Sequence, residues 1–573
     1  MFTCLSRRAA LWDVVTGEAR AIVERSPSLR GAFWLFFGLA VGAGVTFGVL
    51  ALGAGWFAEP AVGPALEPPL FVEMGESAGI DHVYDGEFDF FVGGGVATFD
   101  CNADDLPDLY IAGGSRPARL YVNETGPSGG ISFVPHPGET TDLVGVTGAY
   151  PIDIDSDGFT DLVVLRRGEN VVLRGTRNCG FERANETWKI EGGDEWTVAF
   201  SAFWDEEDRL PTLAFGNYLR IEEPGDREQC EDHFLLRPAD AVSYSAPERL
   251  SPGYCTLSIL FSDWNRSGSP DLRMTNDRHY YREGEEQLWV TDDSPAPYDA
   301  ADGWRHLEIW GMGIASQDLD SDGLPEVFLT SQGDNKLQTL VDGGSRPEYE
   351  DIALAVGVTA HRPFEGDTLR PSTAWHAEFD DINNDGYLDL FVTKGNVDSQ
   401  PDFAVEDPNN LLMGQIDGSF LEGAGEAGLL DFDRSRGAAL VDLDLDGSLD
   451  VVVVERREPV KVWANTELTA GGESLGNWLA LELGRPAPNR NAIGSWVEFD
   501  LGDSLVAREV TIGGGHASGD IGPIHIGMGD LDDVRARVIW PDGETGPWET
   551  LSANRRYTWE HGTDPIVASA PAD

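Results

Sequence analysis

Six acidic loops are the residues of this sequence best suited to chemistry. Each loop spans nine residues with an oxygen-bearing side chain at positions 1, 3, 5 and 9, and five of the six carry glycine at position 6. The candidate metal ligands, loop by loop, are Asp100, Asn102, Asp104 and Asp108; Asp153, Asp155, Asp157 and Asp161; Asp263, Asn265, Ser267 and Asp271; Asp318, Asp320, Asp322 and Glu326; Asp381, Asn383, Asp385 and Asp389; and Asp442, Asp444, Asp446 and Asp450.

Calcium is the ion that this donor set predicts. Ca²⁺ takes six to eight hard oxygen ligands, and four carboxylates held together without a cation would repel one another. A backbone carbonyl near position 7 would complete each site, and glycine at position 6 would allow a sharp turn. The sequence therefore predicts Ca²⁺ as the cofactor, in up to six sites.

The loops are not EF-hands, although DxDxDG also opens an EF-hand loop. An EF-hand needs a bidentate acid at position 12 and a helix on each side. Apolar runs typical of strands flank these loops instead. Position 12 is apolar in all six, as Ile111, Val164, Met274, Leu329, Val392 and Val453.

The loops recur at a spacing typical of repeat proteins. A seventh loop, "WDEEDRLPT" from Trp204, fills the one double-length gap, and the seven starts then lie 51 to 63 residues apart. This loop has Trp204 and Thr212 at ligand positions and Arg209 at the glycine position, so we expect it to hold no metal. A repeat of this length with short strands predicts a seven-bladed propeller of four-stranded sheets.

Three units carry a resemblance to a known repeat: "GAYPIDIDSDGFTDLVVL", "GMGIASQDLDSDGLPEVFL" and "GAALVDLDLDGSLDVVVV". They resemble FG-GAP repeats, the calcium-loop blades of integrin alpha-chain propellers. Residues 476–561, with "NRNAIGSWVEFD", "REVTIGGG" and "VRARVIWPDGE", resemble the ASPIC and UnbV domain. Together they resemble the cartilage acidic protein family and its bacterial relatives, whose ligands are largely undefined.

The predicted fold class is all-β, with the propeller followed by a small β-rich domain. The opening pattern "LFVEMGESAGI" from Leu70 matches the fourth strands of later units, so we expect a strand near Phe71 to complete the last blade beside residues 460–465. The predicted boundaries are a cytoplasmic tail at 1–30, a transmembrane anchor at 31–58, a Pro-rich linker at 59–68, the propeller at 69–467, the ASPIC/UnbV-like domain at 474–563 and a tail at 564–573.

Residues 31–58 carry no charge, and this run is longer than the roughly 20 residues that cross a bilayer as a helix. Five arginines precede it and no Lys or Arg follows before Arg116, which predicts a cytoplasmic N-terminus and an extracytoplasmic remainder. The chain is therefore expected to be a single-pass membrane protein. A cleaved signal peptide is the alternative, although its apolar region is normally much shorter.

Four cysteines would lie in the oxidising compartment. Cys230 and Cys255 bracket an irregular insert and are predicted to form a disulfide. Cys101 and Cys179 either pair or stay buried and free. The sequence contains no CxxC motif and no histidine cluster that would indicate zinc or redox chemistry.

The functional prediction is a binding, adhesion or scaffold module for a protein or glycan partner. A net charge of −59 argues against nucleic-acid binding. No GxSxG or HExxH motif appears, His376, His516 and His525 stand alone, and the Gly513–Gly515 run has no following helix that would make a phosphate loop. The alternatives are a polysaccharide hydrolase or lyase with a carboxylate pair in the central channel, and an assembly factor for an envelope complex.

Overall fold

The computed structural model describes residues 65–126, 130–205, 208–220, 229–277, 284–292, 294–398, 400–502 and 504–568. The predicted anchor at 31–58 and the cytoplasmic tail lie outside these ranges. Within them, no helix has the length and apolarity needed to cross a membrane. The described part is an all-β structure with three one-turn α-helices and one 3-10 turn (Phe88–Phe90).

Within the described residues, seven sheets with four antiparallel strands each follow one another along the chain, and an opening strand, β1 (Pro69–Glu73), precedes them. The first of these sheets gains a fifth, parallel strand from the C-terminal region. The first two sheets contain β2 (Val96–Phe99), β3 (Asp108–Ile111), β4 (Arg119–Asn123) and β5 (Phe133–Pro135), then β6 (Val146–Ile152), β7 (Asp161–Arg166), β8 (Val171–Thr176) and β9 (Gly180–Arg183). Helix α1 (Asn185–Trp188) follows the second sheet.

The third sheet carries two inserts that contain short strands of their own. Its strands are β10 (Thr197–Phe203), β11 (Thr212–Asn217), β14 (His233–Leu236) and β17 (Glu248–Leu250). Two small hairpins branch from it, made by β12 (Leu219–Arg220) with β13 (Gln229–Cys230) and by β15 (Pro238–Asp240) with β16 (Ser243–Tyr244).

The remaining sheets repeat the simple four-strand order. They contain β18 (Thr256–Ser262), β19 (Asp271–Asn276), β20 (Gln287–Val290) and β21 (Ala296–Pro297); β22 (Gly311–Gln317), β23 (Glu326–Ser331), β24 (Lys336–Leu340) and β25 (Tyr349–Asp351); β26 (Ala374–Asp380), β27 (Asp389–Lys394), β28 (Asn410–Gly414) and β29 (Phe420–Glu422); and β30 (Ser435–Val441), β31 (Asp450–Glu455) and β32 (Lys461–Thr469). Helices α2 (Ala353–Val356) and α3 (Ala424–Ala427) follow β25 and β29.

The opening strand completes the seventh sheet. β1 pairs antiparallel with β32, with Phe71 opposite Asn465 and Glu73 opposite Trp463. Phe71 is buried among residues of the sixth and seventh sheets. The predicted pairing of this strand with residues 460–465 is therefore confirmed.

The first strands of the seven sheets contact one another in a cycle. The order is β2, β6, β10, β18, β22, β26 and β30, and β30 contacts β2 again. These strands are almost wholly buried, and apolar side chains of adjacent sheets pack between them. The two ends of the first strands therefore define two opposite faces of the assembly.

The C-terminal module is a sandwich of two four-stranded sheets. The strands are β33 (Asn477–Gly484), β34 (Trp496–Asp500), β35 (Leu505–Glu509), β37 (Ile524–Gly529), β38 (Asp533–Ile539), β39 (Glu549–Ser552), β40 (Arg555–Glu560) and β41 (Ile566–Val567). Alternate apolar residues of both sheets form one core, as the period-two pattern predicts.

Residues 511–521 leave the module and run between the seven first strands; we call them the central segment. Ile512, Gly513 and Gly515 form bridges to Ala202, Leu260 and Ile314. Its short strand β36 (Gly519–Asp520) pairs parallel with β2. The glycine run thus passes through the centre of the assembly, a position that sequence periodicity did not reveal.

Candidate calcium loops and the central cavity

All six candidate loops lie at equivalent places, between the first and second strands of their sheets. Strands flank each loop on both sides, as predicted, and the seventh loop, between β10 and β11, occupies the equivalent place in the third sheet. The six ligand sets therefore lie on one face of the assembly, at the ends of the first strands.

A shared backbone conformation shapes these loops. Position 6 has positive φ in every loop, between 71° and 91°, including Asp105, which replaces glycine. Its N–H donates to the position-1 carboxylate at 2.6 to 3.1 Å in all six. Glycine and aspartate suit this turn because both enter the left-handed region at low cost.

Position 4 also has positive φ in every loop, which the sequence did not suggest. The residues are Ala103, Ser156, Arg266, Ser321, Asn384 and Leu445, with φ between 52° and 65°. Residues other than glycine pay free energy for this conformation. Their types share no feature, so only the three-dimensional structure shows that position 4 is constrained.

Three loops bring their carboxylates together. Oxygens of Asp153, Asp155 and Asp161 lie within 4.8 Å of one another, as do two further sets: Asp318, Asp320 and Glu326, and Asp442, Asp444 and Asp446. Hard-oxygen groups at this separation match the needs of Ca²⁺. The remaining candidates of these loops, Asp157, Asp322 and Asp450, lie outside those sets.

Each of the three convergent sets contains a buried oxygen without a hydrogen-bond partner. These atoms are Oδ1 of Asp155, Oδ1 of Asp318 and Oδ1 of Asp444. A buried carboxylate oxygen without a donor is costly, and a bound cation would satisfy it. The residues present therefore fit calcium.

Burial, together with repulsion between neighbouring carboxylates, raises the pKa values of several ligand carboxylates. Burial, with repulsion from Asp322 and Asp320, raises the pKa of Asp318 to about 7. Burial, with repulsion from Asp446, likewise raises the pKa of Asp442 to about 7. Burial raises the pKa of Asp153 to about 6, with smaller contributions from Asp157 and Asp155. A divalent cation would remove this unfavourable charge density.

The other three loops are arranged differently. In the loop at 100, Asp108 accepts hydrogen bonds from the Cys101 and Asn123 N–H groups, while Asn102 donates to Asp104.

In the loop at 263, Asp271 accepts hydrogen bonds from the Trp264 indole and the Tyr298 hydroxyl, both at 2.8 Å. Ser267 donates to Asp263 in the same loop. Asn265 accepts the Ser267 N–H.

In the loop at 381, all three aspartates are buried and Asn383 donates to Asp385. Asp385 also accepts the Leu66 N–H at 2.6 Å, and Asp389 accepts the Ile382 and Gly414 N–H groups. The linker before the first strand thus reaches a ligand of the sixth sheet, a contact between residues more than 300 positions apart.

In the loop at 153, an arginine binds two of the carboxylates that calcium would use. The Arg174 guanidinium donates to Asp155 Oδ2 at 2.6 Å and also to Asp157. Calcium binding at this site requires Arg174 to share or release these carboxylates. This contact comes from the third strand of the sheet, and spacing along the chain gave no signal of it.

Both disulfides are formed. Cys230 bonds to Cys255, which confirms the predicted pair, and Cys101 bonds to Cys179. The Cys101–Cys179 disulfide joins the loop at 100 to the turn between β8 and β9. It therefore crosslinks the first and second sheets beside a candidate metal ligand, Asp108.

A cavity of 370 Å³ lies beside the central segment, between the first strands and the C-terminal module. Its polar lining includes His376, Glu378 and Asp520. The His376 Nε2–H donates to Glu378 Oε2 at 3.3 Å, because Nδ1 accepts the His516 N–H. Burial, with repulsion from Glu378, raises the pKa of Asp520 to about 7.

Comparison with known proteins assigns the C-terminal module. Residues 485–565 match the family model described as ASPIC and UnbV, which confirms that part of the resemblance. No curated protein matches the chain.

Solved structures with low similarity include BBS1N in complex with ARL6DN, soaked with mercury (TM-score 0.39, 11% identity, 70% of this chain and 99% of that chain). The extracellular domain of BT4673 from B. thetaiotaomicron matches with a TM-score of 0.35 and 8% identity, over 87% of this chain and 60% of that one. AofleA from Arthrobotrys oligospora matches with a TM-score of 0.32 and 10% identity, over 58% and 86%. Similarity at this level supports no conclusion about function.

Proposed function

We propose that this chain is a calcium-binding seven-bladed propeller of FG-GAP-type repeats, related to the cartilage acidic protein family. In this proposal it acts as a binding, adhesion or scaffold module for a protein or glycan. Residues 31–58 anchor it in a membrane, with the bulk of the chain outside the cytoplasm. One observation carries the proposal: six of seven equivalent loops present four oxygen-bearing side chains each, and three of them bring carboxylates within 4.8 Å.

The C-terminal module covers part of the calcium-loop face, which leaves the opposite face for a partner. Phe88, which is 49% exposed, lies in the turn before β2, at the end of that strand opposite its calcium loop. Its ring packs 4.9 Å from Phe91 and 6.4 Å from Trp196, and Arg167 lies over the Trp196 ring. Aromatic and arginine side chains are enriched at protein–protein interfaces, which supports assigning the partner to this patch.

A pull-down with the full-length protein tests the proposal. We expect a partner to be captured from the native envelope fraction in calcium and lost in chelator. Phe88→Ser should reduce capture, whereas Leu354→Ser, which changes an apolar residue that is 86% exposed beyond an outer strand, should not. Equal capture by both variants would contradict the assignment of the partner to this face.

The central cavity favours one second candidate, an extracytoplasmic polysaccharide hydrolase or lyase. Glu378 and Asp520 interact electrostatically there and burial raises both pKa values, a pattern found at acid–base sites. Turnover of a polysaccharide that is abolished by Glu378→Gln, with calcium binding intact, would support this candidate. Full turnover by that variant would contradict it.

A further inference from the structure

The C-terminal module contacts several calcium loops at their position 4, the left-handed residue between the ligands at positions 3 and 5. At the loop starting at 153, the Ser156 hydroxyl accepts the Asn489 N–H at 3.0 Å. The Ser156 carbonyl accepts the Arg490 Nε–H at 2.8 Å. Ser156 lies between Asp155 and Asp157, so any movement of these two carboxylates moves the docking contact.

The loop starting at 263 is held in a similar way. Arg266, at position 4, forms an ion pair with Glu498 at 2.9 Å and lies over the Trp496 ring at 4.6 Å. Glu509 of the module accepts the N–H of Asp263, the first ligand, at 2.7 Å. The module therefore contacts this loop at its first and fourth positions.

The loop starting at 381 makes the third set of contacts. Asn384, at position 4, accepts hydrogen bonds from the His525 ring at 2.6 Å and from the Gly529 N–H at 2.8 Å. The Asn383 carbonyl, at a ligand position, accepts the Gly476 N–H at 3.1 Å. Asn384 is buried beneath the module.

The loop starting at 318 provides a natural contrast. Its position-4 residue, Ser321, has the same left-handed backbone but is exposed. Its carboxylates converge as closely as those of the loop at 153. The loop at 318 therefore combines convergent carboxylates with an exposed position 4. In the loops at 153, 263 and 381, position 4 contacts the module instead.

These contacts require a backbone conformation that residues other than glycine hold only when their surroundings fix it. A cation ligated by positions 3 and 5 would fix position 4 between them. Repulsion among the carboxylates would distort the same loop in the absence of metal. Calcium would therefore stabilise the same loop conformation that the C-terminal module contacts.

We propose that calcium in the loops at 153, 263 and 381 organises the docking surface of the C-terminal module, so that calcium loading and docking are coupled. This inference rests on the proposed calcium binding. Because coupling between two sites is reciprocal, docking of the module must also raise the calcium affinity of these loops by the same factor.

Hydrogen exchange of the full-length protein measures docking without any activity assay. The reporter amides are Gly514, Gly515 and Gly529, which donate to Ile259, Ile314 and Asn384. We expect chelation to accelerate their exchange by a factor in the usual coupling range, roughly 5- to 150-fold. Bound calcium is counted in the same samples.

Two matched ligand variants separate docking from metal loss. Asp385→Ala and Asp322→Ala each remove position 5 of one loop, at 381 and at 318. We expect each to lose about one calcium equivalent in saturating calcium. Only Asp385→Ala should accelerate exchange at the reporter amides. Equal acceleration by both variants, no acceleration by Asp385→Ala, or no loss of bound calcium in Asp385→Ala would overturn the coupling.

A variant of the module tests the reciprocal effect and leaves every ligand in place. Arg490→Ala removes the bond to the Ser156 carbonyl, and Arg535→Ala removes a 57% exposed arginine that pairs with Asp500. We expect Arg490→Ala to raise the calcium concentration needed for half-maximal protection and Arg535→Ala to leave it unchanged. Equal midpoints for both would overturn the coupling even with calcium binding intact, whereas absence of bound calcium in the wild type would overturn the proposed function as well.

Discussion

The loop at 442 offers the most direct single-residue test of the metal sites. Asp446→Ala removes one carboxylate from a convergent set in which Asp444 has an oxygen without a partner. Asp208→Ala changes the seventh loop, which has Arg209 at the glycine position and is predicted to be empty. The two substitutions remove the same group from equivalent loops, so they form a matched pair.

The expected magnitude is small for one site. Extracellular calcium modules bind with Kd of about 10⁻⁴ to 10⁻³ M, so roughly millimolar calcium stabilises a filled site by about 0.4 to 1.4 kcal/mol. Unfolding entropy of about 2.1 cal/mol/K per residue converts 1 kcal/mol to about 1 °C for a unit of roughly 500 residues. Six filled sites together would raise Tm by about 2 to 8 °C.

The assay is the difference in Tm between calcium and chelator, measured by calorimetry on each variant. Asp446→Ala should reduce this difference by about 1 °C. In chelator it should leave Tm unchanged or raise it, because repulsion from Asp446 contributes to the raised pKa of Asp442. Asp208→Ala should leave the calcium-dependent difference as it is. Equal effects of the two variants, or a Tm indifferent to chelator, would show that these loops are ordinary turns.

Four further outcomes follow from the structure and the sequence. The stabilising effect of calcium should grow as the pH rises from 5 to 8. In the metal-free folded protein the pKa values of Asp318 and Asp442 are about 7, above their values in the unfolded chain. The metal-free protein therefore loses stability as the pH rises from about 4 to about 7. Thermal melts that show a calcium effect independent of pH would contradict this. Gly95→Ala should destabilise the fold by about 1 to 3 kcal/mol, because the new methyl group would meet the Ala517 carbonyl, whereas Gly126→Ala enters open space and should be nearly neutral in denaturant titrations. Non-reducing peptide mapping should find Cys230 linked to Cys255 and Cys101 linked to Cys179; a free thiol at any of these positions would refute the pairing. The full-length protein should stay in membranes after alkaline carbonate washing, and release of a fragment beginning near residues 59–66 would show cleavage instead.

The repeated loops made the sheets predictable from sequence. Acidic loops at regular spacing with short apolar runs beside them located the first and second strands of each sheet. The pattern that opens at Leu70 recurs in the fourth strands that begin at Tyr349 and Phe420. The pattern around Phe71 located the strand that completes the seventh sheet. These features are local, or repeat a local pattern, so periodicity along the chain is enough to detect them.

The contacts between distant parts of the chain were not predictable. The Gly513–Gly515 run carries no periodic pattern, and the structure places it among first strands of the assembly, where its backbone bridges Leu260 and Ile314. Arg174 at the loop starting at 153 and Arg490 on Ser156 gave no signal either. Such contacts depend on which side chains meet after folding, and a single sequence carries no pattern for them.

Calcium stoichiometry of the full-length protein is the decisive measurement for the metal sites. Equilibrium dialysis followed by elemental analysis, at calcium well above 10⁻³ M, should saturate sites of the extracellular class. We expect at least three bound calcium ions, one for each convergent carboxylate set, and up to six in total. Fewer than three at saturation would contradict this expectation.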